Sequence, residues 1–145
     1  MAEQATKAMI DLGYRLDRYR TIFFESNIHL NEKDILEIMK MDHLLWRWRV
    51  YNMLLGMESI DHEVASSYQT CRLGRWYYEM ATPGIRALPA YKQLEEPHKS
   101  VHRCAEEAAK RYEAGDTAGA QEAFHQLEKA SEQVIELLNK IQEEL

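Results

Sequence analysis

Residues 117–145 read TAGAQEAFHQLEKASEQVIELLNKIQEEL. Ala120, Phe124, Leu127, Ser131, Val134, Leu138 and Ile141 recur at alternating steps of three and four, so they share one stripe of a helix. Such a stripe must be covered by other helices, and the sequence upstream supplies them. Gly115 ends the preceding segment and Asp116 caps the last helix. His125 falls beside the stripe and reads as a surface residue.

The segment before it contains Pro97-His98-Lys99-Ser100-Val101-His102. Pro97 suits the first turn of a helix, where its missing N–H costs nothing. A helix from Pro97 to Gly115 places His98, His102, Ala105, Ala109 and Tyr112 on one face. Further upstream, Asn31 and Asp34 form an approximate capping box that opens a helix from Glu32 to about Leu55, with Gly56 as its C-terminal stop. Its stripe is Leu36, Met39, His43, Trp46, Val50 and Met53. A first helix spans about Gln4 to Glu25. Met9, Leu12, Leu16, Tyr19 and Phe23 form its bundle or coiled-coil seam, while Arg15, Asp17, Arg18 and Arg20 fill the solvated side and Gly13 is a mild weakness. The pattern breaks over Ser26–Leu30.

Met57–Val64 reads as a polar loop and Ala65–Gln69 as a short helical piece. Cys71-Arg72-Leu73-Gly74-Arg75-Trp76-Tyr77 follows, with Leu73, Trp76 and Tyr77 as a short apolar face and Gly74 permitting close approach of another backbone. Thr82-Pro83-Gly84 is a turn, and Pro89 interrupts short helical pieces between Ile85 and Leu94. The expected fold is all-α, a four-helix bundle with a short extra helical segment carrying Cys71. Residues 1–30 form an N-terminal helix, either a signalling-arm stub or a cap, and residues 31–145 form the main domain.

Bulk properties narrow the function. The chain has 145 residues, enough for one domain with a real core, and a formal net charge of −6. No basic run exists to neutralise phosphates, which argues against nucleic acid. No apolar run approaches the roughly 20 residues of a membrane span. Two cysteines are too few for a disulfide scaffold, and the N-terminus lacks the pattern of a signal peptide, so a cytoplasmic setting with reduced thiols is expected.

The residues that carry chemistry are His43, Cys71, His98 and His102. Two histidines four apart on a helix can aim at one point, although the same spacing also occurs on solvated faces. His43 sits where the periodicity demands a core residue, and a buried imidazole needs partners, whether backbone or metal. Cys71 opens a helical turn whose free N–H groups favour a thiolate, yet a lone cysteine beside aromatics is commonly a small buried hydrophobe. Cys104, two residues past His102, turns away and reads as structural. Three imidazoles and one thiolate together suit tetrahedral zinc, Zn²⁺. A set of four protein ligands leaves no open position, which argues for a sensory or structural role and against an enzyme. The HExxH signature is absent, and the carboxylates lie mainly off the apolar stripes that a di-iron bundle would use.

Three elements, Asp42-His43-Leu44-Leu45-Trp46, Cys71-Arg72-Leu73-Gly74-Arg75-Trp76 and Pro97-His98-Lys99-Ser100-Val101-His102, resemble in kind and order the signature of the bacterial chemoreceptor zinc-binding domain. The resemblance runs from about Ile35 to the C-terminus. It implies a cytosolic regulatory module, homodimeric, similar to those fused to chemotaxis receptors and diguanylate cyclases. It also implies zinc held by His43, Cys71, His98 and His102. Zinc occupancy, or oxidation of the bound cysteine by species such as hypochlorous acid, is then the implied signal. A purely structural zinc site in a dimeric interaction module is the main rival, and a zinc hydrolase or oxygen-binding di-iron bundle a further one. Asp42 has little chance of bonding a ligand on its own helix but is placed to reach a histidine elsewhere.

Overall fold

The structure, a computed structural model, describes residues 2–26 and 30–145, without the side chains of Phe23 and Phe24. It is an all-α helical bundle. The helices are α1 (Ala2–Glu25), α2 (Glu32–Leu54), α3 (His62–Ser66), α4 (Arg72–Arg75), α5 (Pro83–Ala87), α6 (Pro89–Glu113) and α7 (Thr117–Glu143), with a π-helical turn at Trp76–Met80. Part of the expected pattern break, Asn27, Ile28 and His29, lies outside the described residues.

The caps form as the sequence dictates. The Asn31 side chain accepts from the Asp34 N–H at 2.9 Å, Asp116 from the Gly119 N–H at 2.9 Å, and Gly56 and Gly115 take positive φ after α2 and α6. Helices α6 and α7 pack along most of their length, with α2 laid against both. The whole α7 stripe is buried. Lys40 of α2 reaches across to Asn139 (2.9 Å) and Gln142 (2.8 Å) of α7 and also pairs with Glu37, which satisfies an ammonium that the bundle buries.

Two expectations about α6 change. The helix opens at Pro89, which occupies its first turn, and Pro97 lies inside it. An internal proline removes the bond to the carbonyl four residues back and costs about 3 kcal/mol. The stripe nevertheless continues across it through Tyr91, Leu94, His98, Val101 and Ala105, all buried. Burying Tyr91 and Leu94 returns about 1.5–3 kcal/mol each, enough to carry the helix through the proline. The short pieces also shift: α3 starts at His62, capped by Asp61 accepting from the Glu63 N–H at 2.8 Å, and Thr82 caps α5 where a turn is expected.

Helix α1 is rotated relative to expectation. Four residues of its apolar stripe, Met9, Leu12, Leu16 and Tyr19, point outward, with Met9 and Tyr19 each 59% exposed, and the side chain of the fifth, Phe23, lies outside the described ones. The face against α2 is the one carrying Gly13, where an added Cβ would meet the Trp48 ring at 3.0 Å and Leu45 at 3.3 Å. Asp17 and Arg20, expected in solvent, pair instead with groups of α2 and α4. A bare glycine lets the helix approach two large side chains, and the charges beside it find partners across the gap.

Candidate metal centre

The centre lies where α6, α2 and the Cys71 turn meet. His98 and His102 are one turn apart on the buried face of α6, and His43 projects from the core stripe of α2; all three are at least nine-tenths buried. Cys71 is the N-cap of α4, and its Sγ accepts from the Gly74 N–H at 3.3 Å. The turn sits close to the chain before it, since a Cβ at Gly74 would lie 2.0 Å from the Tyr68 carbonyl oxygen. The glycine is therefore required for space, as the sequence suggests.

Ligand atoms of Cys71, His98 and His102 all lie within 4.8 Å of one another. The Cys71 Sγ is 3.3 Å from His98 Nε2. A tetrahedron with Zn–N about 2.0 Å and one Zn–S about 2.3 Å has edges of about 3.3–3.5 Å, so the set is near the required spacing. The His102 Nδ1–H donates to the Ala65 carbonyl at 2.8 Å, which leaves Nε2 with its lone pair. His43 falls outside the converging set, but its ring lies 5.3 Å from that of His98 and 6.4 Å from that of His102. Its Nδ1 is buried without a hydrogen-bond partner, which is expensive in a core unless a cation or water is bound. The donor set and this orphaned nitrogen fit a borderline-soft cation such as zinc.

Electrostatics agree with that fit. Burial, with the neighbouring His102 adding to it, pushes the His43 pKa down to about 3. Burial lowers His98 as well, aided by His43 and His102, and lowers His102 despite the Ala65 carbonyl. All three imidazoles are neutral at pH 7, as ligands must be. Cys71 departs from expectation. Its contacts with the Gly74 and Leu73 backbone favour the thiolate, but burial outweighs them and pushes the thiol up to about 11. Without a cation Cys71 is a protonated thiol; a bound dication reverses the balance.

A pH prediction follows for the metal-free protein. Below the ordinary histidine value of about 6.5, the unfolded chain takes up protons that the folded chain refuses. Stability is therefore full above about pH 6.5 and falls as the pH drops toward the folded value of about 3 for His43. His43 contributes about 1.4 kcal/mol per pH unit across that window and the lowered His98 and His102 add to it, so acid should bring cooperative unfolding below about pH 6.5. Circular dichroism along an acid titration checks this; a transition no steeper than that of a His43→Leu variant would contradict it.

Sequence reading missed the groups around the ligands. Among the described residues Asp42 bonds no histidine: its carboxylate accepts from Arg72 Nε at 2.6 Å and Nη2 at 2.9 Å. Burial still leaves the Asp42 carboxyl above its ordinary range despite this pairing. The Ala65 carbonyl and the Tyr68 ring, whose centroid is 6.3 Å from that of His98, complete the surroundings. Backbone carbonyls carry no sequence signal, but an aspartate preceding one candidate ligand and an arginine following another do. The π turn after α4 closes with the Ala81 N–H donating to the Trp76 carbonyl at 2.8 Å, and it drops Trp76 and Tyr77 into the core. A cleft of about 310 Å³ between α1, α2 and the Cys71 segment reaches the centre, with His43, Cys71 and His102 in its wall.

Residues 43–109 match the family model of the chemoreceptor zinc-binding domain. This part of the chain is similar to that family, as the three sequence elements suggest. The matched stretch contains His43, Cys71, His98 and His102, and so connects the cluster to a zinc-binding role. The chemoreceptor zinc-binding domain is a regulatory family, not an enzyme family. No curated protein and no solved structure matches the chain. Among the described residues no helix is long and apolar enough to cross a membrane.

Proposed function

We propose that the protein is a zinc-binding sensory domain of bacterial signal transduction, of the chemotaxis or cyclic-di-GMP type, with His43, Cys71, His98 and His102 as ligands. The observation that carries this reading is the convergence of Cys71, His98 and His102 within 4.8 Å, with three buried imidazoles lowered in pKa. His43 completes the set because its orphaned Nδ1 has no other partner. Bound zinc would supply the positive charge that holds Cys71 as a thiolate. Four protein ligands leave the metal closed to substrate, so the domain is not an enzyme.

Cys71 is the responsive element. The cleft beside α1 brings small solutes to it, and a thiolate oxidised by hypochlorous acid or a similar species becomes a sulfenate with altered ligand character. The domain works as a homodimer in the cytoplasm, beside a chemoreceptor or diguanylate cyclase partner. The outward apolar stripe of α1 (Met9, Leu12, Leu16 and Tyr19) supports a second copy as the covering partner. Residues 1–30 act as the arm and 31–145 as the sensing body.

The test is metal analysis with X-ray absorption on purified protein, before and after mild oxidant. One zinc per chain with one sulfur and three nitrogen neighbours, lost or rearranged on oxidation, is expected. Two irons per chain would end the proposal. A zinc site indifferent to oxidant and too tight to exchange would leave the structural role instead.

A further inference from the structure

The polar face of α1 is tied to the residue that follows Cys71. Arg72 Nη2 donates to Asp17 Oδ1 at 2.6 Å and Nη1 to Thr21 Oγ1 at 2.6 Å, both on α1. The same guanidinium grips Asp42 of α2 through Nε and Nη2. Arg20 of α1 closes the cluster, 3.1 Å from Asp42 and 3.2 Å from Asp17. The Arg72, Asp42 and Arg20 side chains are only 11%, 19% and 15% exposed, so solvent screens the two pairs with Asp42 weakly, while Asp17 at the α1 end is 44% exposed. Arg72 spends its fork on three partners from two helices, which a lysine could not do.

Two further facts give this cluster a direction. Asp42 directly precedes His43 and Arg72 directly follows Cys71, so two candidate ligands are each one peptide bond from the cluster. Among the described residues α1 has other polar holds, Tyr14 with Glu58 and Arg49, and Glu25 with Arg75 at 3.9 Å, and neither includes a residue adjacent to a candidate ligand.

We propose that Arg72 is a positioning residue that relays the state of the Cys71 turn to α1. With the metal bound, the turn is fixed and Arg72 holds Asp17 and Thr21, docking α1 on the bundle. When Cys71 leaves the metal, the turn is free to move, Arg72 loses its register with Asp17, and α1 loosens. The relay rests on the zinc reading above and gives it an output element.

Hydrogen exchange of the α1 amides, measured with zinc and after chelation, tests it. In the wild type, zinc should slow α1 exchange about tenfold, within the range of coupled sites. In Arg72→Gln the ratio should fall to about twofold or less, with zinc still bound. Asp17→Asn lies on α1 and leaves the Asp42–Arg72 pair intact. It should reduce the ratio in the wild-type background and add nothing in the Arg72→Gln background, the pattern of two residues acting through one contact. Linkage also requires each variant to lose zinc affinity by no more than the protection it has lost. A merely structural arginine would loosen α1 equally with and without zinc, leaving the ratio at its wild-type value, and that result in either variant overturns the relay. A wild type that binds zinc but whose α1 is indifferent to it overturns the relay alone. A wild type that binds no zinc overturns the metal reading and the relay together.

Discussion

Replacing Cys71 with alanine is expected to weaken zinc binding at least about 100-fold, since loss of groups merely supporting a ligand already costs about 10–100-fold. Helical content should stay unchanged, because the helices are held by the α2, α6 and α7 stripes. The variant gives up a minor cap, the bond from the Gly74 N–H to Sγ. It also changes how affinity depends on pH. In the wild type the thiol sits up to about 11, so zinc must expel its proton, and affinity should rise about tenfold per pH unit between about pH 7 and 9. The histidines, already neutral there, add nothing to that slope. In Cys71→Ala the slope should fall close to zero. Competition against a chromophoric chelator at several pH values measures both quantities. Affinity within about threefold of wild type, or an unchanged slope, would remove Cys71 from the ligand set.

How much of this could be read from the chain depends on which interactions decide each part. Helices α2 and α7 were readable because single residues at their ends, Asn31, Gly56 and Asp116, set the boundaries and the stripes between them are unbroken. The candidate ligands were readable because helical spacing places His98 beside His102 and the core periodicity traps His43. The start of α6 was not, since Pro89 and Pro97 are equally good first-turn residues; only the burial of Tyr91 and Leu94 by the rest of the bundle decides between them. Which side of helix α1 packs on its own chain was not readable, for a related reason. Its apolar stripe satisfies the rule for a buried face, but the single chain offers a better complement to the other side, where Gly13 admits Trp48 and Arg72 meets Asp17. Cys71 shows the limit for electrostatics: the helix start was visible and favours a thiolate, whereas the burial that outweighs it depends on every element packed around the turn.

Gly74→Ala is expected to be the most damaging single methyl group in the chain. The residue is helical, with no positive φ, so glycine is not needed for its backbone angles. By helix propensity alone alanine would be preferred by about 1 kcal/mol. The obstacle is space. The added Cβ would lie 2.0 Å from the Tyr68 carbonyl oxygen and 2.8 Å from the Gln69 carbonyl carbon, backbone atoms that no rotamer change can move aside. The Cys71 turn must therefore lift from the 68–69 segment, and the contact of the Cys71 Sγ with the Tyr68 carbonyl, 3.4 Å, goes with it. A shift of the order of 1 Å takes the sulfur off the histidine pair, so zinc affinity should fall at least about 30-fold while the chain keeps all four ligands. The metal-free protein should also lose about 2–4 kcal/mol, the scale of overpacking in a closed site. Gly84→Ala is the control, because Gly84 is also helical and nothing lies within 4 Å of its added Cβ, and its stability should be unchanged or rise by up to about 1 kcal/mol. Chemical denaturation and zinc titration of the two variants side by side decide the matter. Wild-type zinc affinity in Gly74→Ala would mean that the turn tolerates displacement and that its close seat against Tyr68 does not set the position of the sulfur.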